Sequence, residues 1–269
     1  MTLSIRDSIR NYLKGVRAVS LGLHSIKRAG LLIEIYRLCD TKNMGKNWIR
    51  VFKHSKSQLF QELFVTSALD FRNGYFVEVG GTDGIVLSNT LTLEKLGWKG
   101  AIFEPCRFWH QALEMNRECF LDFRAVTNRD NEIVSFSETL IPELSTITSK
   151  KPNDGWSFSR NESLDYPVET VTLNTALKQL GFPSDLDYLS IDTEGTELDV
   201  LEGLNFSLFN FKVITVEIAE DPVKGVRIKE LLEGNGFRQV FEGKTFWDDW
   251  YLHHTLFSQL ISAKRLKKE

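Results

Sequence analysis

The sequence predicts an α/β domain built on a mostly parallel sheet covered by helices on both faces. Three observations lead there. From residue 75 onward, short runs rich in β-branched and aromatic residues alternate with segments of helical periodicity, the pattern that gives parallel sheets with ligands at the carboxyl ends of their strands. A glycine-rich turn, Gly80 to Gly84, follows the first of these runs directly. The chain has 269 residues, 42% of them hydrophobic, long enough for one sizeable core and too apolar for a disordered chain.

Taken in order, Tyr75–Val79 reads as the first strand and 86–97 as a helix. Strand 101–103, helix 107–117 and strand 120–126 follow. Residues 137–167 hold Pro142, Pro152, Asn153, Asp154, Gly155 and Pro167 with little periodicity and read as a long loop, equally a lid or substrate contact or a disordered stretch. Helix 172–180, strand 186–191, helix 197–203, strand 213–218 and helix 223–235 restore the alternation. Strand 239–241 then turns at Gly243 and Lys244 into an antiparallel last strand, 250–254. The domain organisation expected is an N-terminal extension at 1–57, the main domain at 58–256 and a basic tail at 257–269.

The net charge of -3 is unevenly distributed. Residues 1–60 carry 12 Lys or Arg against Asp7, Glu34 and Asp40, so the rest of the chain is strongly acidic, which argues against a nucleic-acid substrate. In the extension, Ile5, Ile9, Tyr12, Leu13 and Val16 share a helical face flanked by Arg6, Arg10, Lys14 and Arg17. Such a basic amphipathic helix packs on a domain or makes peripheral contact with a membrane surface. The apolar stretch 18–38 is interrupted by Lys27, Arg28, Glu34 and Arg37, which excludes a membrane span there, and no apolar run reads as a secretory signal. Three cysteines, Cys39, Cys106 and Cys119, form no C-x-x-C pair, so a reducing, cytoplasmic compartment is expected, with membrane-peripheral placement if the extension binds lipid.

Two acidic constellations carry the chemistry. In FVEVGGTDG, Gly80, Gly81 and Gly84 permit close approach of a ligand to the backbone at a helix N-terminus, and Glu78 suits a cationic or amino-bearing group. The glycine offsets differ from those of a dinucleotide fingerprint, which sets aside an NAD-dependent oxidoreductase. Glu104, at the end of the next strand, is placed to accept hydrogen bonds from two ribose hydroxyls. Further on, Asp192, Glu194 and Glu197 crowd the end of an apolar strand, which calls for a nearby cation: a ligand's positive centre, a lysine or a divalent metal. Glu217 ends the neighbouring strand. His24, His54 and His110 lack metal-ligand spacing, whereas His253 and His254 are either solvated or alternative bases, and Trp247, Trp250 and Tyr251 either pack in the core or offer rings for stacking on a ligand ring.

The strings EVGGTDGIVLSNTLTLEKLGWKGAIFEP (78–105) and LDYLSIDTEGTELDVLEGL (186–204) resemble the two hallmark segments of FkbM-type methyltransferases, and VETVTLNTAL (168–177) and VITVEI (213–218) are similar to further family segments. The resemblance spans roughly 58–254. It implies the class I methyltransferase (Rossmann-like) three-layer fold with a seven-stranded sheet, S-adenosylmethionine as cofactor, and O-methylation of a hydroxyl on a sugar, glycan or related polyol. By that likeness Gly80, Thr82 and Gly84 form the cofactor loop, with Thr82 standing where many class I enzymes have glycine. Asp83 and Asn89 face the methionine portion, Glu104 the ribose, and Ala125 and Val126 flank adenine. Asp192 is the expected base, with Glu194 and Glu217 beside it. The alternative the family offers is a non-catalytic adaptor or interaction module of the kind found in membrane-associated proteins.

Overall fold

The computed structural model describes residues 27–39, 44–152, 155–218 and 221–266. The amphipathic stripe at Ile5 to Val16 therefore lies outside the described residues. Residues 27–39 form helix α1, followed by α2 (Met44–His54), kinked at Gly45, and α3 (Gln61–Ala68).

The main sheet contains β1 (Tyr75–Val79), β2 (Lys99–Phe103), β3 (Phe120–Asp122), β8 (Asp185–Ile191), β9 (Asn210–Glu217), β10 (Phe237–Val240) and β11 (Asp248–His253). Its order is β10-β11-β9-β8-β1-β2-β3, and the pairs among β3, β2, β1, β8 and β9 are all parallel. The last strand, β11, runs antiparallel to both β9 and β10. The expected alternation of faces is visible within single strands. Phe76, Tyr188, Val213 and Trp250 join one core together with Phe64, Trp109, Leu113 and Leu256. Their neighbours Val77, Leu189, Ile214 and Tyr251 join the other with Leu177, Val200 and Ile228. Helices α5 (Arg107–Asn116) and α9 (His254–Leu266) thus cover one face with α3, while α6 (Leu173–Gln179), α7 (Glu197–Glu202) and α8 (Pro222–Gly234) cover the other. Each fully buried aliphatic side chain contributes about 1.5–3 kcal/mol to this three-layer packing.

Three expectations are corrected. The segment 86–97 is helical only in α4 (Leu91–Lys95), because Leu87 adopts a left-handed backbone and Ser88 Oγ accepts the Thr90 and Leu91 amides, so the helix starts late. The segment 120–126 is two strands. After β3 the chain turns where the Asp122 carboxylate binds both the Arg124 amide and guanidinium, and β4 (Ala125–Val126) pairs instead with β7 (Ser163–Val171). The supposed loop 137–167 keeps a loop with short helical turns in its middle but contributes both its ends and Thr146–Ile147 (β6) to a second sheet, β4-β7-β5-β6, in which β5 (Ile133–Thr139) is antiparallel to β7 from Ile133↔Glu169 to Thr139↔Ser163. The prolines masked it: Pro167 sits inside β7 opposite Ser135. At the C-terminal end, residues 257–266 continue α9, which buries Leu256 and Leu260.

Candidate active site

A cavity of about 650 Å³ opens at the carboxyl ends of β1, β2, β8 and β9. Its first wall is the glycine turn. Gly80 has φ +90, and a Cβ there would stand 1.6 Å from the Asp192 carbonyl oxygen, so this position tolerates no side chain. Gly84, at φ +75, likewise abuts Arg117 and Leu113. Thr82 accepts a positive φ of 46 and donates its amide to Glu104 Oε2 at 2.9 Å. The other Glu104 oxygen accepts the Cys106 amide at 2.9 Å. Burial pushes the Glu104 carboxyl up to about 7 despite these amides. Each oxygen keeps a lone pair, which suits two further hydroxyl donors.

Glu78 also lines the cavity, but its cationic partner is internal. It accepts from the Asn89 amide and Thr90 Oγ1, and Arg117 approaches at 3.5 Å. Burial raises its pKa, and Arg117 opposes the rise. Arg117, with a fully buried side chain, further binds Glu94 at 2.8 Å, Thr90 Oγ1, Ser88 Oγ and the Gly84 carbonyl. Glu78 therefore shapes the turn through this network. Asp83 has a similar part: its Oδ1 accepts the Ile85 and Val86 amides. Asn89 Nδ2 donates to Ser190 Oγ, while its Oδ1 has no partner. Ala125 and Val126 line the cavity although they belong to the second sheet.

The second wall is the acidic turn after β8. The three neighbouring acids separate by partner. Glu197, completely buried, accepts the Thr193 and Gly195 amides and the Lys224 ammonium at 2.7 Å, so it braces the turn and takes no part in the cavity's chemistry. Glu194, with a left-handed backbone at φ 57, is bound by Arg160 at 2.6 Å. Burial, then Asp192, raises its carboxyl to about 8 against the pull of Arg160. The lysine and arginine supply the cations that the crowding demanded.

Asp192 is left to Glu217. Solvent reaches Asp192 through the cavity, while protein surrounds it on the remaining sides. Burial raises it to about 6, with the hydrogen bond from Glu217 acting the other way. Glu217 is pushed well above the ordinary carboxylate range by burial and then by Asp192. The two carboxyls therefore titrate as a coupled pair, with Asp192 the more readily ionised member. Asp192, Glu194 and Glu217 each present an oxygen within 4.8 Å of the others, a donor set that suits a hard divalent cation.

Two further cavity residues escape the sequence reading. Asp248 stands directly opposite Glu217 where β11 pairs with β9, and its Oδ2 accepts Gln61 Nε2 at 2.8 Å and Trp250 Nε1 at 3.4 Å. Burial, then Asp192, pushes Asp248 up to about 7. The antiparallel strand was the available signal, because its first residues must meet the end of TVEI. Nothing local in the sequence marks Gln61, which enters from α3. The rings divide: Trp247 lines the cavity, whereas Trp250 and Tyr251 are core. His253 lies at the far end of β11, opposite Phe237 and about 16 Å along the strand from Asp248, and neither it nor His254 reaches the cavity.

The second sheet and its loops roof the site. Leu140, Thr146, Ile147 and Trp156 line the cavity. The roof is fastened to the acidic turn by Arg160 to Glu194, by Thr146 Oγ1 to the Thr193 carbonyl, by Lys150 to Asp199 at 2.6 Å, and by Gly195, whose hydrogen side abuts the Lys150 carbonyl.

Numbered along the chain, the seven main strands lie in the order 3-2-1-4-5-7-6 with the seventh antiparallel, and a glycine turn after strand one faces an acid after strand two. That combination defines a class I methyltransferase. The chain belongs to the FkbM family: residues 78–239 match the methyltransferase FkbM domain. No curated protein matches the chain. Among solved structures it is similar to precorrin-6y C5,15-methyltransferase from Geobacter metallireducens GS-15, at 13% identity and TM-score 0.39 over 74% of this chain and 89% of that one. It is also similar to a putative RNA methyltransferase, PH1948, from Pyrococcus horikoshii, at 9% identity and TM-score 0.38 over 79% of this chain and 98% of that one. Gln61 and Asp248 both fall outside the matched residues. Among the described residues no helix is long and apolar enough to cross a membrane.

Proposed function

We propose that the protein is an S-adenosylmethionine-dependent O-methyltransferase acting on a hydroxyl of a sugar, glycan or related polyol. The observation that carries this reading is the close carboxyl pair Asp192 and Glu217, lining one cavity with the glycine turn and Glu104. The residues fit the cofactor. Gly80 leaves the backbone bare where any Cβ would collide, and Glu104 has oxygens ready for a ribose. Thr82, Asp83 and Asn89 line the side toward the methionine portion, Gly84 shapes the turn behind them against Arg117 and Leu113, and Ala125 and Val126 line the adenine side. When bound, the cofactor supplies an electrophilic methyl group on a sulfonium.

The chain's own work is positioning and proton transfer. Asp192 Oδ accepts the proton of the acceptor hydroxyl, and Glu217, beside it and harder to ionise, orients the acceptor. Asp248, tethered by Gln61, offers a second acceptor for a polyol's neighbouring hydroxyl. Arg160 holds Glu194 away from this role and pins the roof that limits water. Such alignment, with a base of suitable pKa, accounts for rate in a displacement that needs no covalent enzyme intermediate. The test is a screen of glycan and nucleotide-sugar acceptors with labelled methyl donor. Label appearing on a hydroxyl in wild type and lost in Asp192→Asn supports the reading. Cofactor binding with label on nitrogen or carbon would reject the O-methyl assignment, and absence of cofactor binding would favour the adaptor role.

A further inference from the structure

The cavity leaves one surface unexplained. On α2, Val51 is buried against the domain, and helical geometry then places Ile49 at the centre of the outward face. Phe52 and Trp48 flank it on one side, and the exposed Lys46, Arg50 and Lys53 on the other. Helix α1 extends the apolar half with Ile33 and Tyr36. These four exposed side chains, Ile33, Tyr36, Ile49 and Phe52, range from 42% to 52% accessible. They are joined by an aromatic row: Tyr36 edge-on to Trp48 at 6.1 Å, Trp48 stacked on Phe52 at 5.8 Å, and Phe52 against Phe60 at 5.7 Å.

We propose that this face docks on an anionic lipid surface. Contiguous exposed apolar side chains mark an interaction site, and Trp and Tyr beside Lys and Arg are the composition that a headgroup boundary selects. Charge chooses among the occupants. From residue 27 to 60 the described chain carries seven Lys or Arg against Glu34, which is already paired with Lys244 and Arg37. A second copy of the same face would repel it. So would residues 1–26, where Arg6, Arg10, Lys14 and Arg17 face only Asp7 in the charge count. A nucleic acid would use the cations and leave Ile49 and Phe52 in water. Anionic lipid satisfies both halves.

The position of the face gives the docking a consequence. The end of α2 is held by the His54 carbonyl, which accepts Thr92 Oγ1. Just beyond it, Ser57 bridges Leu87. Ile85, Val86 and Leu87 are exposed there, and the last two line the cavity. The docked face therefore brings the cavity mouth toward the headgroups. The docking itself requires nothing of the reaction.

The experiment is co-sedimentation of the full chain with vesicles of phosphatidylcholine alone or with one third phosphatidylserine. Binding is expected to the anionic vesicles, to weaken as salt is raised, and to fall about a hundredfold in Lys46→Gln/Arg50→Gln/Lys53→Gln. Ile49→Ser/Phe52→Ser should lose about tenfold or more. Both variants should stay folded and keep wild-type S-adenosylhomocysteine binding, since none of these side chains touches the cavity. Wild-type protein remaining in the supernatant, equal binding to neutral and anionic vesicles, or variants that sediment like wild type would overturn the proposal. So would loss of binding on Arg6→Gln/Arg10→Gln/Lys14→Gln/Arg17→Gln with none in the α2 variants.

Discussion

Replacing Arg117 with leucine should cost the protein a large share of its stability. The guanidinium is fully buried, bonded to Glu94 at 2.8 Å, Thr90 at 2.9 Å, Ser88 at 3.2 Å and the Gly84 carbonyl at 3.3 Å, with Glu78 at 3.5 Å. Its loss strands two carboxylates, one of them deep in the protein. Breaking a buried pair on one side costs about 3–5 kcal/mol, which at about 2–4 °C per kcal/mol for a domain of this size lowers Tm by about 6–20 °C. Adding Glu78→Gln to Arg117→Leu should return part of the loss, because the stranded charge disappears while an acceptor for the Asn89 amide remains. The pH dependence has a definite sign. Although burial opposes it, Glu94 is held below its ordinary 4.5 by the Glu118 amide and Arg117. The stabilisation it gives is present above that value and fades as pH falls through its folded pKa. In Arg117→Leu this acid-side loss should shrink. Thermal and urea unfolding across pH measure both effects. A deficit below about 1 kcal/mol, or no recovery in the double variant, would refute the reasoning.

Three other outcomes follow from the same geometry. Glu104→Ala removes acceptors for two hydroxyls and should weaken cofactor binding by about a hundredfold in calorimetry, and unchanged affinity would take Glu104 out of the site. Asp192→Asn should lower kcat by about a hundredfold to ten-thousandfold. In wild type kcat should rise with pH through about 6, the value to which Asp192 is pushed, and a flat profile or an unaffected variant would contradict its role as base. Gly80→Ala and Gly181→Ala both place a methyl on a positive-φ residue, but only the first meets a backbone oxygen at 1.6 Å. Gly181→Ala should cost about 1–2 kcal/mol, and Gly80→Ala should fail to fold; similar Tm values for the two would show that the turn relaxes.

How far the sequence reveals this molecule depends on the range of the interaction involved. The strands of the main sheet and the glycine turn are local patterns, and YFVEVGG and YLSID announce both strand and turn within nine residues. Asp192, Glu194 and Glu217 are legible because strand ends in such sheets meet at one edge. What distinguishes the three acids is not local. Glu194 is set apart by Arg160 and Glu197 by Lys224, partners 34 and 27 residues distant. Glu78 reads as a ligand acid until Arg117, 39 residues on, is found beside it. The second sheet was hidden because Pro142, Pro152 and Pro167 suppress a strand reading even where β7 accommodates a proline. Gln61 and Asp248 come together across 187 residues, a pairing that only the closed sheet can make.

The central claim is that the cavity between the glycine turn and the acidic turn binds S-adenosylmethionine. Isothermal titration of the full chain with S-adenosylmethionine and S-adenosylhomocysteine, beside NAD as control, tests it most directly. The account predicts one-to-one binding of both sulfur nucleosides, weakened in Glu104→Ala, and no heat with NAD. Folded protein that binds neither sulfur nucleoside, or that binds them equally well in Glu104→Ala, would contradict it.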